Sequence, residues 1–220
     1  DDQVTLMSKA GRVWLFDLDN TLHNATPHIF PHINRSMCEY IERHLGVNQE
    51  EATRIRQNYW ERYGATLLGM IRHHATDPRH FLRETHQFAD LKRMVVFDKA
   101  VLHTLRRLPG RKIIFSNAPR HYAEAILEIT GLGRCFDALY SVENVKFQPK
   151  PMPSGFRTLL RAEHISPRNC IMVEDSLPNL VSAKKLGMKT VWVSAGYRQS
   201  PYVDAKITSV LELPKRYDQL

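Results

Sequence analysis

Short apolar runs recur along the chain and alternate with segments in which apolar residues have helical spacing. The apolar runs predict buried strands at Val13–Phe16, Lys112–Phe115, Ala138–Val142, Cys170–Val173 and Thr190–Val193, with a weaker one at Lys206–Val210. Helices are predicted at Arg120–Thr130, Ser154–His164 and Leu177–Leu186. This alternation predicts an α/β fold built on a doubly wound, Rossmann-like parallel sheet.

One long region departs from this alternation, because residues 24–97 have a helical pattern throughout. Asn48, with a glutamate three positions later, resembles a capping box, and Asp77 followed by proline is typical of a helix start. We therefore expect an all-helical insert at 24–97 in a core formed by residues 1–23 and 98–220. The insert directly follows the first strand.

The composition is that of an ordinary globular protein, with 43% hydrophobic and 25% charged residues. No apolar run approaches the roughly 20 residues that a membrane helix needs, so no membrane partner is expected. The first residues lack the apolar segment of a signal peptide. The three cysteines are odd in number and widely spaced, which favours reduced thiols and a cytoplasmic location.

The formal net charge of +8 has two interpretations. A positive field attracts anionic partners, whereas a net charge away from zero also serves solubility alone. The basic residues are scattered, with no run of five or more. A nucleic-acid partner is therefore not expected.

Chemically active residues follow the predicted strands, where an open parallel sheet binds its ligands. They are Asp17, Asp19, Ser116, Asn117, Lys150, Glu174 and Asp175. Clustered carboxylates repel each other unless a cation neutralises them. Mg²⁺ prefers oxygen ligands and keeps waters that a phosphate can replace. We expect Asp17, Asp175 and the main-chain carbonyl of Asp19 as metal ligands. Glu174 would act through a water or orient the site.

The spacing of Asp17 and Asp19 suits two different tasks, because positions i and i+2 of an extended chain share a face. Asp17 can attack phosphorus and form an aspartyl-phosphate. Asp19 can protonate the leaving group and later accept a proton from water. Ser116 and Lys150 would hold phosphate oxygens by a hydrogen bond and by charge.

Four motifs in order, DLDNTL, SNA, KPMP and EDSLPN, resemble the haloacid dehalogenase superfamily of phosphohydrolases over nearly the whole chain. The resemblance implies a Mg²⁺-dependent phosphatase whose helical insert is the family's cap. It implies these roles: Asp17 as nucleophile, Asp19 as acid and base, Ser116 and Lys150 as phosphate-binding residues, and Asp175 beside Glu174 at the metal.

A finer resemblance is to the pyrimidine 5′-nucleotidase-like branch. It rests on DLDNTLH, RYGATLLGMIRHH, FSNAPRHYAEAIL and EDSLPNLVSAKKLGM, and it implies a pyrimidine nucleoside 5′-monophosphate as substrate. Glu174 departs from the DDS-like pair of many members, since a glutamate keeps the charge but reaches further. Two alternatives stay open: a phosphatase or phosphomutase for sugar phosphates or phosphoglycolate, and a non-catalytic phosphate-binding protein.

Several residues admit two interpretations. Lys146 competes with Lys150 as the phosphate-site lysine, and the prolines around Lys150 favour the latter. Asn117 and Arg120 are predicted substrate contacts, because they follow the second strand. The histidine pairs 28/32 and 73/74 suit zinc spacing but lack a further ligand, which favours surface or packing roles. The aromatic residues at 59, 60 and 63 suit either base stacking or packing.

Overall fold

The computed structural model describes residues 11–220; residues 1–10, including those on which the signal-peptide prediction rests, lie outside the described part. A parallel sheet of six strands forms its centre, in the order β3-β2-β1-β4-β5-β6. The strands are β1 (Val13–Phe16), β2 (Arg111–Phe115), β3 (Ala138–Tyr140), β4 (Cys170–Glu174), β5 (Lys189–Val193) and β6 (Ala205–Ile207). The predicted doubly wound α/β fold is confirmed.

Helices cover both faces of the sheet and form the insert. Those of the insert are α1 (Ile29–Leu45), α2 (Gln49–Tyr63), α3 (Thr66–His74), α4 (Pro78–Thr85) and α5 (Leu91–Met94). Those that follow are α6 (Ala100–Arg107), α7 (Arg120–Thr130), α8 (Pro153–Ala162), α9 (Leu177–Lys185) and α10 (Leu213–Arg216). The insert thus lies between β1 and α6, as its position in the sequence requires.

Strand β1 is central and buried on both faces. Trp14 and Phe16 belong to one apolar cluster, and Val13 and Leu15 belong to the cluster on the opposite face. Helices α6, α7 and α10 contribute to the first cluster, and α8 and α9 contribute to the second. This two-sided burial explains why β1 is a continuous apolar run, and it makes the strand a rigid support for whatever follows it.

The insert has an apolar cluster of its own, drawn from α1, α2, α3 and α4. Its helix starts have the predicted chemistry: Asn48 accepts a hydrogen bond from the Glu51 N–H at 2.9 Å, and Asp77 accepts one from the Arg79 N–H at 3.0 Å. The Glu51 carboxylate bonds Arg54. The start of α2 therefore has the N-cap half of a capping box.

Insert and core are joined by two linkers and by shared apolar contacts. The Asn24 N–H donates to the Val96 carbonyl at 2.8 Å, which pairs the two linkers. Ile29 and Ile33, at the start of α1, pack in a core cluster, and Val142 of the core packs in the insert cluster. The insert therefore packs against the core through the start of α1 and through Val142.

All three cysteines are free thiols. Among residues 11–220, no helix has the length and apolarity needed to cross a membrane.

Candidate active site

The carboxyl ends of the three central strands meet at one edge of the sheet. Phe16 at the end of β1 lies beside Ile114 of β2 and Val173 of β4. The ladder extends one residue further, because the Asp17 N–H donates to the Val173 carbonyl at 3.0 Å. Asp17, Ser116 and Glu174 consequently emerge at this same edge, each fixed by its strand.

Lys150 is the cation at this edge and is only 1% exposed. Its Nζ lies 3.0 Å from Asp17 Oδ1, 2.8 Å from Glu174 Oε2 and 2.6 Å from the Phe115 carbonyl oxygen. Burial opposes a charge here, but the two carboxylates outweigh it and hold the pKa of Lys150 above its ordinary value. The competing Lys146 is exposed. The structure thus brings Lys150 to the carboxylates.

Three carboxylates converge around this lysine. Asp17, Glu174 and Asp175 each offer an oxygen within 4.8 Å of the others. Burial, reinforced by the charge of Asp17, raises the pKa of Glu174 to about 7 and that of Asp175 to about 10. Burial also acts on Asp17, but Lys150 and hydrogen bonds to its carboxylate prevail and lower its pKa. Asp17 is therefore the anionic member of the cluster.

A hard divalent cation fits this donor set. All three side chains offer carboxylate oxygens within reach of one ion, and a bound cation would favour the ionised forms of Glu174 and Asp175 that burial disfavours. In the described part of the chain, no other group of three His, Cys, Asp or Glu side chains converges in this way. The main-chain carbonyl of Asp19 stays a predicted further ligand.

Asn117 clamps the Lys150 segment. The Lys150 N–H donates to Asn117 Oδ1 at 2.8 Å, and Asn117 Nδ2 donates to the Lys150 carbonyl at 2.9 Å. This reciprocal pair fixes the backbone from which the lysine extends. The structure thus gives the amide a positioning task; its predicted contact with substrate stays a prediction.

Ser116 and Arg120 have different surroundings. The Ser116 side chain is buried, and its Oγ accepts a hydrogen bond from the Ala118 N–H at 3.1 Å. The Arg120 guanidinium is directed to Glu124 Oε1 at 2.7 Å and Asn144 Oδ1 at 3.4 Å. Ser116 thus lies at the same sheet edge as the carboxylates, whereas the recorded bonds of Arg120 run along the surface.

Asp19 lies two residues beyond Asp17 in a tight turn. Asn20 has a positive φ of 61°, and its side chain bonds Ala25 and Thr26, which holds the turn. The Asp19 carboxylate receives the Tyr122 hydroxyl at 2.6 Å and the His23 Nε2 at 2.6 Å. The acidic side chain next to the nucleophile candidate is therefore anchored on two sides.

The insert closes over the Lys150 segment at the turn between α2 and α3. A Cβ added to Gly64 would lie 2.4 Å from Pro151 Cδ, so the turn is in close contact with the residue after Lys150. A cleft of about 760 Å³ runs between α4, residues 86–91 and α7, and Tyr122 is part of its wall. The insert thus touches the core at the segment that carries Lys150.

The sequence matches the family model "haloacid dehalogenase-like hydrolase" over residues 12–187, which include the described site. The chain belongs to the haloacid dehalogenase-like hydrolases. The predicted superfamily is confirmed, and the pyrimidine 5′-nucleotidase-like branch stays a prediction.

Several curated relatives of this hydrolase carry names of small-molecule phosphatases, and one is named for phosphate metabolism. Validoxylamine A 7′-phosphate phosphatase of Streptomyces hygroscopicus subsp. limoneus is 26% identical over 207 residues, covering 89% of this chain and 92% of that protein. Phosphoglycolate phosphatase of Pseudomonas putida is 25% identical over 215 residues, covering 91% and 75%. Phosphate metabolism protein 8 of Saccharomyces cerevisiae is 25% identical over 196 residues; the match covers 81% of this chain but only 60% of that protein.

Solved structures have the same fold. A haloacid dehalogenase (HAD) phosphatase from Thermococcus onnurineus is 25% identical, with a TM-score of 0.64 over 94% of this chain and 97% of its own. A haloacid dehalogenase-like hydrolase from Bacteroides fragilis is 20% identical, with a TM-score of 0.65 over 91% and 98%. The second of these supports the fold alone.

Three residues of the hydrolase site were not assigned from the sequence: Thr21, His23 and Tyr122. The Thr21 hydroxyl donates to Asp17 Oδ2 at 3.2 Å. Thr21 and His23 stand in the DLDNTLH motif, so their nearness to the aspartates could have been inferred. Tyr122 is 103 positions from Asp19. Only its place shortly after the second strand pointed to this edge.

Proposed function

We propose that the protein is a Mg²⁺-dependent phosphomonoesterase that acts through an aspartyl-phosphate on small phosphorylated metabolites. The observation that carries this proposal is that the Asp17 carboxylate is held in its ionised form. Its Oδ1 faces the Lys150 ammonium at 3.0 Å, and its pKa is held below the ordinary value. A carboxylate kept ionised at the end of a rigid strand is suited to nucleophilic attack.

In the first step, an oxygen of Asp17 forms a bond to phosphorus, and the bond from phosphorus to the substrate alcohol breaks. Asp19 gives its proton to the leaving oxygen. The Ser116 Oγ accepts a hydrogen bond from the Ala118 N–H. The hydroxyl hydrogen of Ser116 can therefore be donated to a phosphoryl oxygen. Lys150 contributes positive charge near the transferring group.

In the second step, a water oxygen bonds to phosphorus and its proton passes to Asp19. The bond between phosphorus and Asp17 breaks, which releases inorganic phosphate and restores the Asp17 carboxylate. Asp19 is then protonated and ready for the next substrate. One residue thus serves as acid and then as base, which requires that its carboxylate stay in place between the two steps.

Asp17, Asp175 and the Asp19 carbonyl would hold the Mg²⁺, with Glu174 beside them. When bound, the ion supplies positive charge to the phosphoryl oxygens and offsets repulsion among the carboxylates. The donor set supports this choice, because every side-chain ligand is a carboxylate oxygen.

For the substrate, the sequence motifs favour pyrimidine nucleoside 5′-monophosphates. A second candidate class is sugar phosphates and phosphoglycolate. It is supported by the names of relatives, which include phosphoglycolate phosphatase, validoxylamine A 7′-phosphate phosphatase and hexitol phosphatase B. A phosphate-release screen with UMP, CMP, AMP, phosphoglycolate and hexose phosphates, with Mg²⁺ and with EDTA, decides between the classes. A phosphomutase would instead yield isomerised product without free phosphate.

The mechanism is tested by Asp17→Asn. The amide keeps the shape of the side chain but is a poor nucleophile, so we expect at least a thousand-fold loss of kcat with the fold intact, on the order of the loss for other nucleophiles. Asp98→Asn is the matched control, since Asp98 is exposed and its carboxylate accepts a hydrogen bond from the Ala100 N–H at the start of α6. Full activity of Asp17→Asn would refute the mechanism.

A further inference from the structure

Asp19 receives two short hydrogen bonds on a single oxygen. Tyr122 OH donates to Oδ1 at 2.6 Å, and His23 Nε2 lies 2.6 Å from the same atom. Both partners are buried, with Tyr122 1% and His23 5% exposed. We propose that Tyr122 and His23 are positioning residues that fix Oδ1 and leave Oδ2 as the atom that gives and takes the proton. This inference rests on the proposed function of Asp19.

The hydrogen-bond chemistry assigns the two oxygens. A carboxylate oxygen is an acceptor, so the hydrogen of the His23 ring in this contact lies on Nε2. With two donors directed at it, Oδ1 has little capacity to carry a proton itself. The proton that leaves with the substrate alcohol therefore comes from Oδ2, and the proton taken from water returns to Oδ2. The atoms of both steps balance with one exchanging oxygen.

Within the described part of the chain, the His23 side chain has a hydrogen bond to Asp19 and to no other residue. Its Nδ1 is buried and has no hydrogen-bond partner among residues 11–220. A buried imidazole with one nitrogen unsatisfied costs stability, because the desolvated group gains nothing in return. The single recorded bond of this ring goes to Asp19. The His23 ring thus orients Asp19, although its burial lowers the free energy of unfolding.

Tyr122 is itself held rigidly. Its ring lies 5.6 Å from the ring of Phe88 and 5.7 Å from that of His86, both in the loop of the insert between α4 and α5. These contacts restrict the movement of the Tyr122 hydroxyl as long as the loop between α4 and α5 stays in place. Rotation of the Asp19 carboxylate would break both bonds to Oδ1. Together the two residues keep the acid and base in one orientation through both steps of the cycle.

The test uses Tyr122→Phe, His23→Leu and His23→Gln. The first two remove a donor, whereas the glutamine amide offers an N–H near the place of Nε2. We expect Tyr122→Phe and His23→Leu to lower kcat about 10-fold to 100-fold with KM within about twofold, since general acid–base catalysis contributes about 10²-fold to 10⁴-fold. His23→Gln should recover most of the loss. Tyr140→Phe is the matched control, because its hydroxyl also bonds a carboxylate, Glu163, at 2.8 Å.

A second readout separates positioning from general stability. The leaving group of p-nitrophenyl phosphate needs no proton, so Tyr122→Phe should form the aspartyl-phosphate at the wild-type rate but hydrolyse it slowly. Rapid-quench trapping should show the phosphorylated enzyme accumulating. In an Asp19→Asn background, Tyr122→Phe should cause no further loss, because it acts through Asp19.

The outcomes distinguish the two levels of inference. If the wild-type protein releases no phosphate from any substrate, the proposed function fails. If the wild-type protein is active and both Tyr122→Phe and His23→Leu match Tyr140→Phe, the positioning role is refuted. The role is also refuted if the loss persists undiminished in the Asp19→Asn background. If either Tyr122→Phe or His23→Leu does not fold, the test rests on the variant at the other position and on His23→Gln.

Discussion

His86 is a buried histidine at the C-terminal end of α4. Burial, together with the nearby His121 and His32, lowers its pKa to about 3, although the Leu82 carbonyl accepts a hydrogen bond from its Nδ1 at 3.2 Å. The Thr85 hydroxyl, 3.0 Å from Nδ1, and Tyr122, whose hydroxyl bonds Asp19, also lie against the His86 ring. His86 is therefore neutral in the folded protein throughout the physiological range.

Because of this residue, the free energy of unfolding should decrease as the pH is lowered. Below an ordinary histidine pKa of about 6.5, the unfolded chain binds a proton that the folded chain does not, so acid favours unfolding. Between pH 7.5 and 5, the free energy of unfolding should drop by about 2 kcal/mol more in the wild type than in His86→Gln. Urea titrations at the two pH values measure this. His103→Gln, at an exposed position of α6, should keep the wild-type slope; equal slopes for all three proteins would contradict the assignment.

At the scale of elements, the turn between α2 and α3 brings the insert against the segment that carries Lys150. Gly64 has a φ of 79° and leaves no room for a Cβ against Pro151. Gly64→Ala should displace this turn from the Lys150 segment and lower kcat/KM about 10-fold to 100-fold, because small misplacements near a reacting centre are costly.

Gly46 offers the matched control for this change. It ends α1 with a φ of 66°, and a Cβ there would meet nothing within 4 Å. Both alanine variants carry the left-handed backbone penalty of about 1–2 kcal/mol. Only Gly64→Ala adds the contact with Pro151. Thermal melts should therefore shift for both variants, while steady-state kinetics should change for Gly64→Ala alone; equal kinetics would show that the turn does not matter for catalysis.

Elements with a strong local pattern were predictable, and contacts between distant elements were not. The run Val13–Phe16 and the helix Arg120–Thr130 have the predicted bounds, because apolar periodicity and a closing glycine define them. The third strand is shorter than predicted. Val142 leaves the sheet, donates its N–H to the Ala118 carbonyl and packs in the insert cluster. Its apolar character is the same in either place, so sequence pattern alone cannot tell them apart.

The residues of the site also divide into those that could be predicted from the sequence and those that could not. Asp17, Lys150, Glu174 and Asp175 could be placed together, since parallel strands bring their carboxyl ends to one edge. The amide of Asn117 clamps the backbone of Lys150 33 positions away, a contact that depends on loop geometry. Tyr122 reaches Asp19 by a similar long-range contact. Residues at strand ends follow from topology, whereas those that hold them in place require the packed structure.

At the scale of the whole molecule, the carboxylate cluster links a bound cation to the stability of the fold. Asp17 follows β1, and Glu174 and Asp175 lie at the end of β4. Pairing of these two central strands therefore brings the three carboxylates together. The unfolded chain scatters these groups and has no comparable site. A cation that binds only the folded state stabilises it by an amount that grows with concentration, about 2.7 kcal/mol at a hundred times its Kd.

We therefore expect Mg²⁺ to raise the melting temperature of the wild-type protein, and excess EDTA to reverse the rise. NaCl at equal ionic strength serves as the control for screening. Asp175→Asn should melt at a temperature that Mg²⁺ no longer changes, because the cluster loses one of its three carboxylates. Asp204→Asn breaks an ion pair with Lys184 at a distant surface, so it should lower the starting temperature yet keep the full response to Mg²⁺. A response of Asp175→Asn equal to that of Asp204→Asn would show that the ion binds elsewhere.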